Sequence, residues 1–105
     1  MPGFSVSILK LDVEGKEPQI IRGAKELLQS GLVKNVLTEF RRLAREPIQE
    51  AVSTLFSSGY TLVDDVKGKL PRSEAIQLFQ SMTEEYKGKQ RNFDFWFQID
   101  NDALP

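Results

Sequence analysis

Three carboxylates in this sequence stand where a side chain could do chemistry. Asp12 and Glu14 follow the first apolar run, in "LKLDVEGKEP", and Glu39 closes the second, "LVKNVLTEF". Carboxylates at such positions can act as general bases, bind a substrate hydroxyl or amine, or help to ligate a hard cation. They also have structural readings. Asp12 and Glu14 can cap the helix that follows them, and Glu39 can pair with one of the arginines at positions 41, 42 and 45.

The residue types that are missing from the chain exclude several kinds of catalytic and metal site. The chain contains neither histidine nor cysteine. Serine and cysteine nucleophiles activated by histidine, histidine-ligated zinc, thiolate metal sites and disulfides are therefore excluded. Catalysis would have to depend on carboxylates, lysine, tyrosine or a bound cofactor, and we predict no dedicated metal site.

Length and composition describe one small domain spanning residues 1–105, with 40% hydrophobic and 28% charged residues. A formal net charge of −1 provides no global field for nucleic acid or an anionic membrane. The basic residues that flank the late helix are read as solvated loop residues: Lys67, Lys69, Arg72, Lys87, Lys89 and Arg91. With no signal segment, no membrane span and no cysteine, we expect a soluble cytoplasmic protein.

Hydrophobic periodicity predicts alternating strands and helices over the first two thirds of the chain. The predicted strands are 4–13, 32–40 and 60–66, and the predicted helices are 17–31 and 45–60. Apolar residues on both faces of the first strand favour a strand that is covered on both sides. The alternation predicts an α/β fold with a mainly parallel sheet flanked by helices.

The last third is less regular. A proline in "KGKLPR" predicts a basic loop that does not continue as a strand. A helix is predicted over 73–86, with Ile76, Phe79 and Met82 on one side. Strict alternation in "NFDFWFQID" predicts a strand over 92–100, antiparallel to its neighbour and near an edge of the sheet, with its phenylalanines facing the core.

The predicted strands allow the carboxylates to be placed. Ligands of open parallel sheets bind beyond the carboxyl ends of the strands. Asp12 and Glu14 lie at or just past the end of the first strand, and Glu39 lies at the same end of the second. If these strands are neighbours, the three carboxylates line one rim of the sheet.

The segment "ILKLDVEGKEPQIIRGAKELLQSGLVKNVLTEF" resembles the signature of the FkbM family of S-adenosylmethionine-dependent methyltransferases. In that family a strand ending in a DVEG-type motif leads through a helix with a central "GA" to a strand ending in glutamate. Asp12 to Gly15 match the motif, Gly23 and Ala24 match the helix, and Glu39 matches the strand end. The resemblance covers roughly the first third to two fifths of the chain and implies a partial Rossmann-like, class I methyltransferase sheet.

The resemblance implies roles for these residues. Asp12 and Glu14 would lie near the transferred methyl group, with Asp12, Val13 and Gly15 beside the cofactor, and Glu39 would lie near a small-molecule or sugar-like acceptor. In that fold a glycine-rich turn after the first strand holds the cofactor, and no G-x-G-x-x-G pattern occurs here. The chain therefore resembles the C-terminal half of the domain, and we expect it to bind S-adenosylmethionine very weakly by itself.

A second hypothesis belongs to a different functional class. A half-domain would leave one side of its first strand unpaired, with backbone donors and acceptors and some apolar surface exposed. The chain would then be a non-catalytic remnant or an interaction module that forms a homodimer through the edge of the first strand.

Overall fold

The computed structural model describes residues 6–11, 20–21, 23–89 and 91–100, with only the backbone described for Val6, Ser7 and Leu11. The strands are Val6–Leu11 (β1), Val33–Arg41 (β2), Tyr60–Asp64 (β3), Gly68–Lys69 (β4) and Asn92–Ile99 (β5). The helices are Lys25–Gln29 (α1), Glu46–Ser57 (α2) and Arg72–Glu85 (α3). The α/β class expected from the sequence is confirmed.

The five strands form one mixed sheet in the order β1-β2-β5-β3-β4. β1 pairs with β2 in parallel, whereas β5 is antiparallel to both β2 and β3, and β4 is antiparallel to β3. β1, β2 and β3 therefore run in one direction. The expectation of a mainly parallel sheet is wrong for the pairing, because β5 separates β2 from β3 and makes both contacts antiparallel.

β5 is antiparallel as predicted, but its predicted position near an edge is wrong. It lies between β2 and β3 and is hydrogen-bonded to both. Its alternation is confirmed, since Phe95, Phe97 and Ile99 are buried whereas Trp96 is 41% exposed. Alternation reports that one face of a strand is covered, and it does not report how many neighbours the strand has.

Aromatic contacts show which face of the sheet the longer helices cover. The ring of Phe56 in α2 lies 5.9 Å from that of Phe97, and the ring of Phe79 in α3 lies 5.8 Å from that of Phe95. Edge-to-face packing of this kind adds to the free energy of burying the rings. α2 and α3 therefore pack side by side on the buried face of β5.

The opposite side of the sheet, which we call the open face, is partly exposed. By register, it carries Ile8 of β1, Leu37 and Glu39 of β2, and Asp94 and Trp96 of β5. Ile8 is 57% exposed. The expectation that β1 is covered on both sides is therefore wrong at Ile8, because α2 and α3 lie on the other face of the sheet.

The helices follow their sequence signals closely. Pro47 lies in the first turn of α2, and Gly59 follows its end with φ 94°. α3 begins one residue before its predicted start, with Ala75 and Phe79 buried. In α1, Leu28 is buried, whereas Leu27 is 40% exposed. Ahead of α1, Ile20, Ile21 and Gly23 are also helical, within the predicted helix 17–31.

The "KGKLPR" segment contains a strand that the sequence did not predict. Gly68 and Lys69 form β4, which pairs with Val63 and Asp64 of β3. Gly68, at φ 77°, provides a left-handed backbone conformation that favours glycine at this tight turn. Pro71 then lies outside the strand, at the N-cap of α3.

The start of β3 is tied to the start of β2 by a buried tyrosine. Tyr60 is fully buried, and its hydroxyl donates a hydrogen bond of 2.5 Å to the carbonyl oxygen of Val33. Burial raises the pKa of Tyr60 to about 12, because the phenolate would lose its hydration.

Among the helices of the described ranges, none combines the length and apolar character needed to span a bilayer.

Candidate functional site

The carboxyl ends of β1 and β2 lie side by side, as the predicted rim requires. Lys10 is in register with Leu37, and Leu11 is in register with Thr38, the residue before Glu39. Asp12, Val13, Glu14 and Gly15 lie outside the described residues, so their predicted placement is not addressed. The neighbour relation on which the prediction depends is confirmed.

Glu39 lines a cleft of about 380 Å³ at this edge of the sheet, which we call the carboxyl-edge cleft. The side chain is half-buried and lies on the open face, opposite Asp94 in the β2–β5 pairing. The cleft also contains residues from the ends of other strands, namely Lys10, Val63, Asp65, Asp94 and Trp96. Because β5 is antiparallel to β2 and β3, its amino end lies beside their carboxyl ends at this edge of the sheet.

The charge of this cleft is predominantly negative. Glu39, Asp65 and Asp94 contribute three carboxylates, and Lys10 contributes one ammonium group. Glu39 and Asp94 are directly opposite each other on paired strands, so both carboxylates contribute to the negative potential of the cleft. A cleft of this character suits a hydroxyl-bearing or cationic ligand. No group of three or more acidic residues within the described ranges is arranged to hold a metal ion.

Trp96 gives the cleft an aromatic wall with a fixed orientation. Its Nε1 donates to Oδ1 of Asn35 at 2.8 Å, and Nε2 of Gln98 donates to the same oxygen at 3.0 Å. The sequence analysis does not identify Asn35. The available signal was an amide inside the apolar strand "LVKNVLTEF", where a polar side chain needs a partner.

Asp65 and Asp94 were also missed by the sequence analysis. Asp65 directly follows β3, which runs in the same direction as β2, so its position at a strand end could have indicated it. Asp94 could not be found in this way, because its place depends on the insertion of β5 between β2 and β3.

The nearby arginines take different positions. Arg41 donates from Nε to Oδ1 of Asn92 at 2.8 Å, and Arg42 and Arg45 line a separate cleft. A salt bridge between Glu39 and one of these arginines stays a prediction. In the turn before β4, Lys67 forms an ion pair with Glu74 at 3.3 Å, and its side chain is 69% exposed, in agreement with the prediction of a solvated loop residue.

Comparison of the chain with protein-family models, with curated proteins and with solved structures finds no match.

Proposed function

We propose that this chain is the C-terminal part of an FkbM-like, S-adenosylmethionine-dependent methyltransferase that acts on a small-molecule or sugar-like acceptor. The observation that carries the proposal is the position of Glu39. It lies near the carboxyl end of β2, beside β1, and lines the carboxyl-edge cleft together with Trp96. Ligands of open α/β sheets bind at this edge, and a cleft of about 380 Å³ falls within the range of small-molecule sites.

The strand directions also support the proposal. The resemblance implies parallel strands followed by an antiparallel C-terminal strand, and β1, β2 and β3 run opposite to β5. A cysteine-free chain suits the cytoplasm, which we include in the proposal.

In this proposal Glu39 positions the acceptor and takes its proton as the methyl group is transferred. A half-buried carboxylate within reach of an acceptor hydroxyl or amine can act as a general base. Trp96 provides a flat apolar surface on which a sugar-like ring can lie. As the resemblance implies, we propose that Asp12 and Glu14 lie near the transferred methyl group. We also propose that Asp12, Val13 and Gly15 lie beside the cofactor.

The described residues do not fit the cofactor by themselves. S-adenosylmethionine supplies an electrophilic methyl group when bound, but the described residues contain no glycine-rich turn between a strand and a helix that could hold it. We therefore assign the described residues no role in binding the cofactor. We expect the affinity of S-adenosylmethionine for this chain to be weaker than micromolar.

The test compares this chain with the longest natural open reading frame that contains it. Calorimetry with S-adenosylmethionine should detect binding only in the longer form. There, Glu39→Gln should lower methyl transfer by about 100-fold, the usual contribution of a general base. Glu84→Gln, an exposed change in α3, is the matched control. Micromolar cofactor binding by this chain, or full activity of the Glu39→Gln variant, would contradict the proposal.

A second candidate function is self-association through β1. Within the described residues β1 has one neighbour, β2, and it therefore forms an edge of the sheet. Beside that edge, Ile8 exposes 57% of its surface on the open face. Exposed strand edges pair readily with other strands, and a second copy of β1 would extend the sheet across a two-fold axis.

Light scattering at micromolar concentration tests this candidate. We expect the wild-type chain to be a dimer and Ile8→Asp to be a monomer, because a carboxylate would be buried at the interface. Val66→Asp is the control, since Val66 is 92% exposed in the turn before β4, away from β1. A monomeric wild type would exclude self-association.

A further inference from the structure

A second cleft lies where two loops meet, beyond the carboxyl end of β2 and the amino end of β5. Residues 42–45 connect β2 to α2, and residues 86–91 connect α3 to β5. Arg41 is in register with Asn92, and its Nε donates to Oδ1 of Asn92 at 2.8 Å, which holds the two loops together. Between them is a cleft of about 440 Å³, which we call the basic cleft.

The basic cleft is strongly positive. It is lined by Arg42, Ala44, Arg45, Gly88 and Lys89, and so by three cations and no carboxylate. Lys87 and Arg91 lie in the same loop as Lys89, and neither the segment "RRLAR" nor the segment "YKGKQR" contains an acidic residue. The whole chain has a formal net charge of −1, so this concentration of positive charge is local.

The lining cations have no carboxylate partner among the described residues. Across the described part of the chain, Arg42, Arg45 and Lys89 form no ion pair, whereas Lys67 pairs with Glu74 and Lys69 pairs with Asp100. Cations that share a cleft repel one another, and a bound anion relieves this repulsion. Arg45 is the N-cap residue of α2 and provides no side-chain cap, and Glu46 in the first turn partly offsets the positive end of the helix dipole beside the cleft.

Aromatic rings hold the second loop in place. The guanidinium carbon of Arg91 lies 5.3 Å from the ring centroids of both Tyr86 and Phe93, and Nζ of Lys89 lies 5.7 Å from that of Tyr86. The two rings are themselves packed edge to face at 4.8 Å. Cation–π contacts of this kind restrict the long side chains before a ligand arrives, which lowers the entropy cost of binding.

We propose that the basic cleft binds a small dianionic ligand, of the kind carried by a phosphate ester or a diphosphate. Guanidinium groups bind phosphate oxygens through paired hydrogen bonds, and the cleft has the volume of a small-molecule site. A small ligand is favoured over nucleic acid because the three lining cations surround one cleft of about 440 Å³, whereas the whole chain has a formal net charge of −1. The inference is independent of the proposed methyltransferase activity.

The test is a titration of the isotope-labelled protein with inorganic pyrophosphate, followed by amide chemical shifts. We expect saturable shifts at Arg42, Arg45, Gly88 and Lys89, with a dissociation constant on the order of 1 mM or lower at low salt. Added salt should weaken the binding, because the cleft is open to solvent.

Two variants separate loss of charge from loss of fold. Arg42 has φ 59°, so Arg42→Gly removes a cation and at the same time relieves a left-handed backbone conformation. Arg42→Gly and Lys89→Gln should each weaken pyrophosphate binding by about tenfold. Lys34→Gln is the matched control, since Lys34 is an exposed cation at the opposite end of β2.

Three results would overturn the proposal. One is the absence of saturable shifts at about 10 mM pyrophosphate, well above the expected dissociation constant. Another is an equal loss of affinity in Lys34→Gln. The third is tighter binding of a single-stranded oligonucleotide that depends equally on Lys67, which would indicate a general nucleic-acid surface.

Discussion

Alkaline pH should unfold this protein through Tyr60. The side chain is fully buried at the start of β3, and its hydroxyl donates to the carbonyl oxygen of Val33 in β2. Deprotonation would remove that donor and leave a phenolate in the interior. Burial accordingly raises the pKa of Tyr60 from 10.0 to about 12.

The size of the effect follows from the two pKa values. The unfolded chain loses the tyrosine proton near pH 10, whereas the folded protein keeps it until about pH 12. Between these values the unfolded state binds fewer protons, so the free energy of unfolding falls as pH rises. The full contribution is present below pH 10 and amounts to at most about 3 kcal/mol over the two-unit interval.

Urea denaturation across this interval measures the effect, with Tyr60→Phe as the test variant. The variant should lose about 1 kcal/mol at neutral pH with its hydrogen bond, and it should show a shallower alkaline decline than the wild type. Tyr86→Phe, which leaves Tyr60 intact, should decline as the wild type does. Equal slopes in wild type and Tyr60→Phe would refute the reasoning, because lysine titration is common to both.

Three further predictions concern the core, a turn and an acidic group. Phe97→Ala should lower the free energy of unfolding by about 3–5 kcal/mol in urea titrations, because a fully buried ring is removed from the centre of the sheet. Gly31→Ala should destabilise by roughly 1 kcal/mol, since Gly31 has φ 78°, whereas Gly23→Ala in the preceding helical turn should stabilise by up to about 1 kcal/mol. Neither added methyl meets an atom within 4 Å, so thermal melts of this pair isolate the backbone effect. Hydrogen bonds from two backbone N–H groups, that of Lys67 first, lower the pKa of Asp64. The stability they provide is present above the ordinary pKa and is lost as pH falls through the folded value, so Asp64→Asn should lose less stability than the wild type on acidification to about pH 3.

Local elements of this fold could be predicted because their signals are local. Pro47 and Gly59 bracket an apolar stripe, and α2 forms between them. The phenylalanines of "NFDFWFQID" alternate, and β5 buries them on one face. In both cases the residues that specify the element lie within it, so no information about the rest of the chain is needed.

Strand order could not be predicted in the same way. β5 is separated from β2 by about 50 residues of sequence, so their pairing is a long-range contact that neither strand specifies by its own residue pattern. The two-residue strand β4 was missed because it is too short to show any periodicity. The exposed position of Ile8 was missed because an apolar side chain in a strand does not reveal whether a partner covers it.

Some residues of the candidate site could be predicted from local sequence signals, and others depend on long-range strand pairing. Glu39 could be predicted from its place at the end of an apolar strand, and Asp65 has the same signal. Asp94 and the hydrogen bond between Trp96 and Asn35 join the site only through the β2–β5 pairing. Sequence therefore predicts the parts of the cleft that come from strand ends, and the sheet topology supplies the rest.

The central position of β5 has a consequence for how the protein is made. Among the described strands it is the last to leave the ribosome, yet both β2 and β3 depend on it for their hydrogen bonds. Until it emerges, the nascent chain presents two unpaired strand edges, which are prone to aggregation. Chaperone protection during synthesis should therefore matter most in the interval between release of β3 and release of β5.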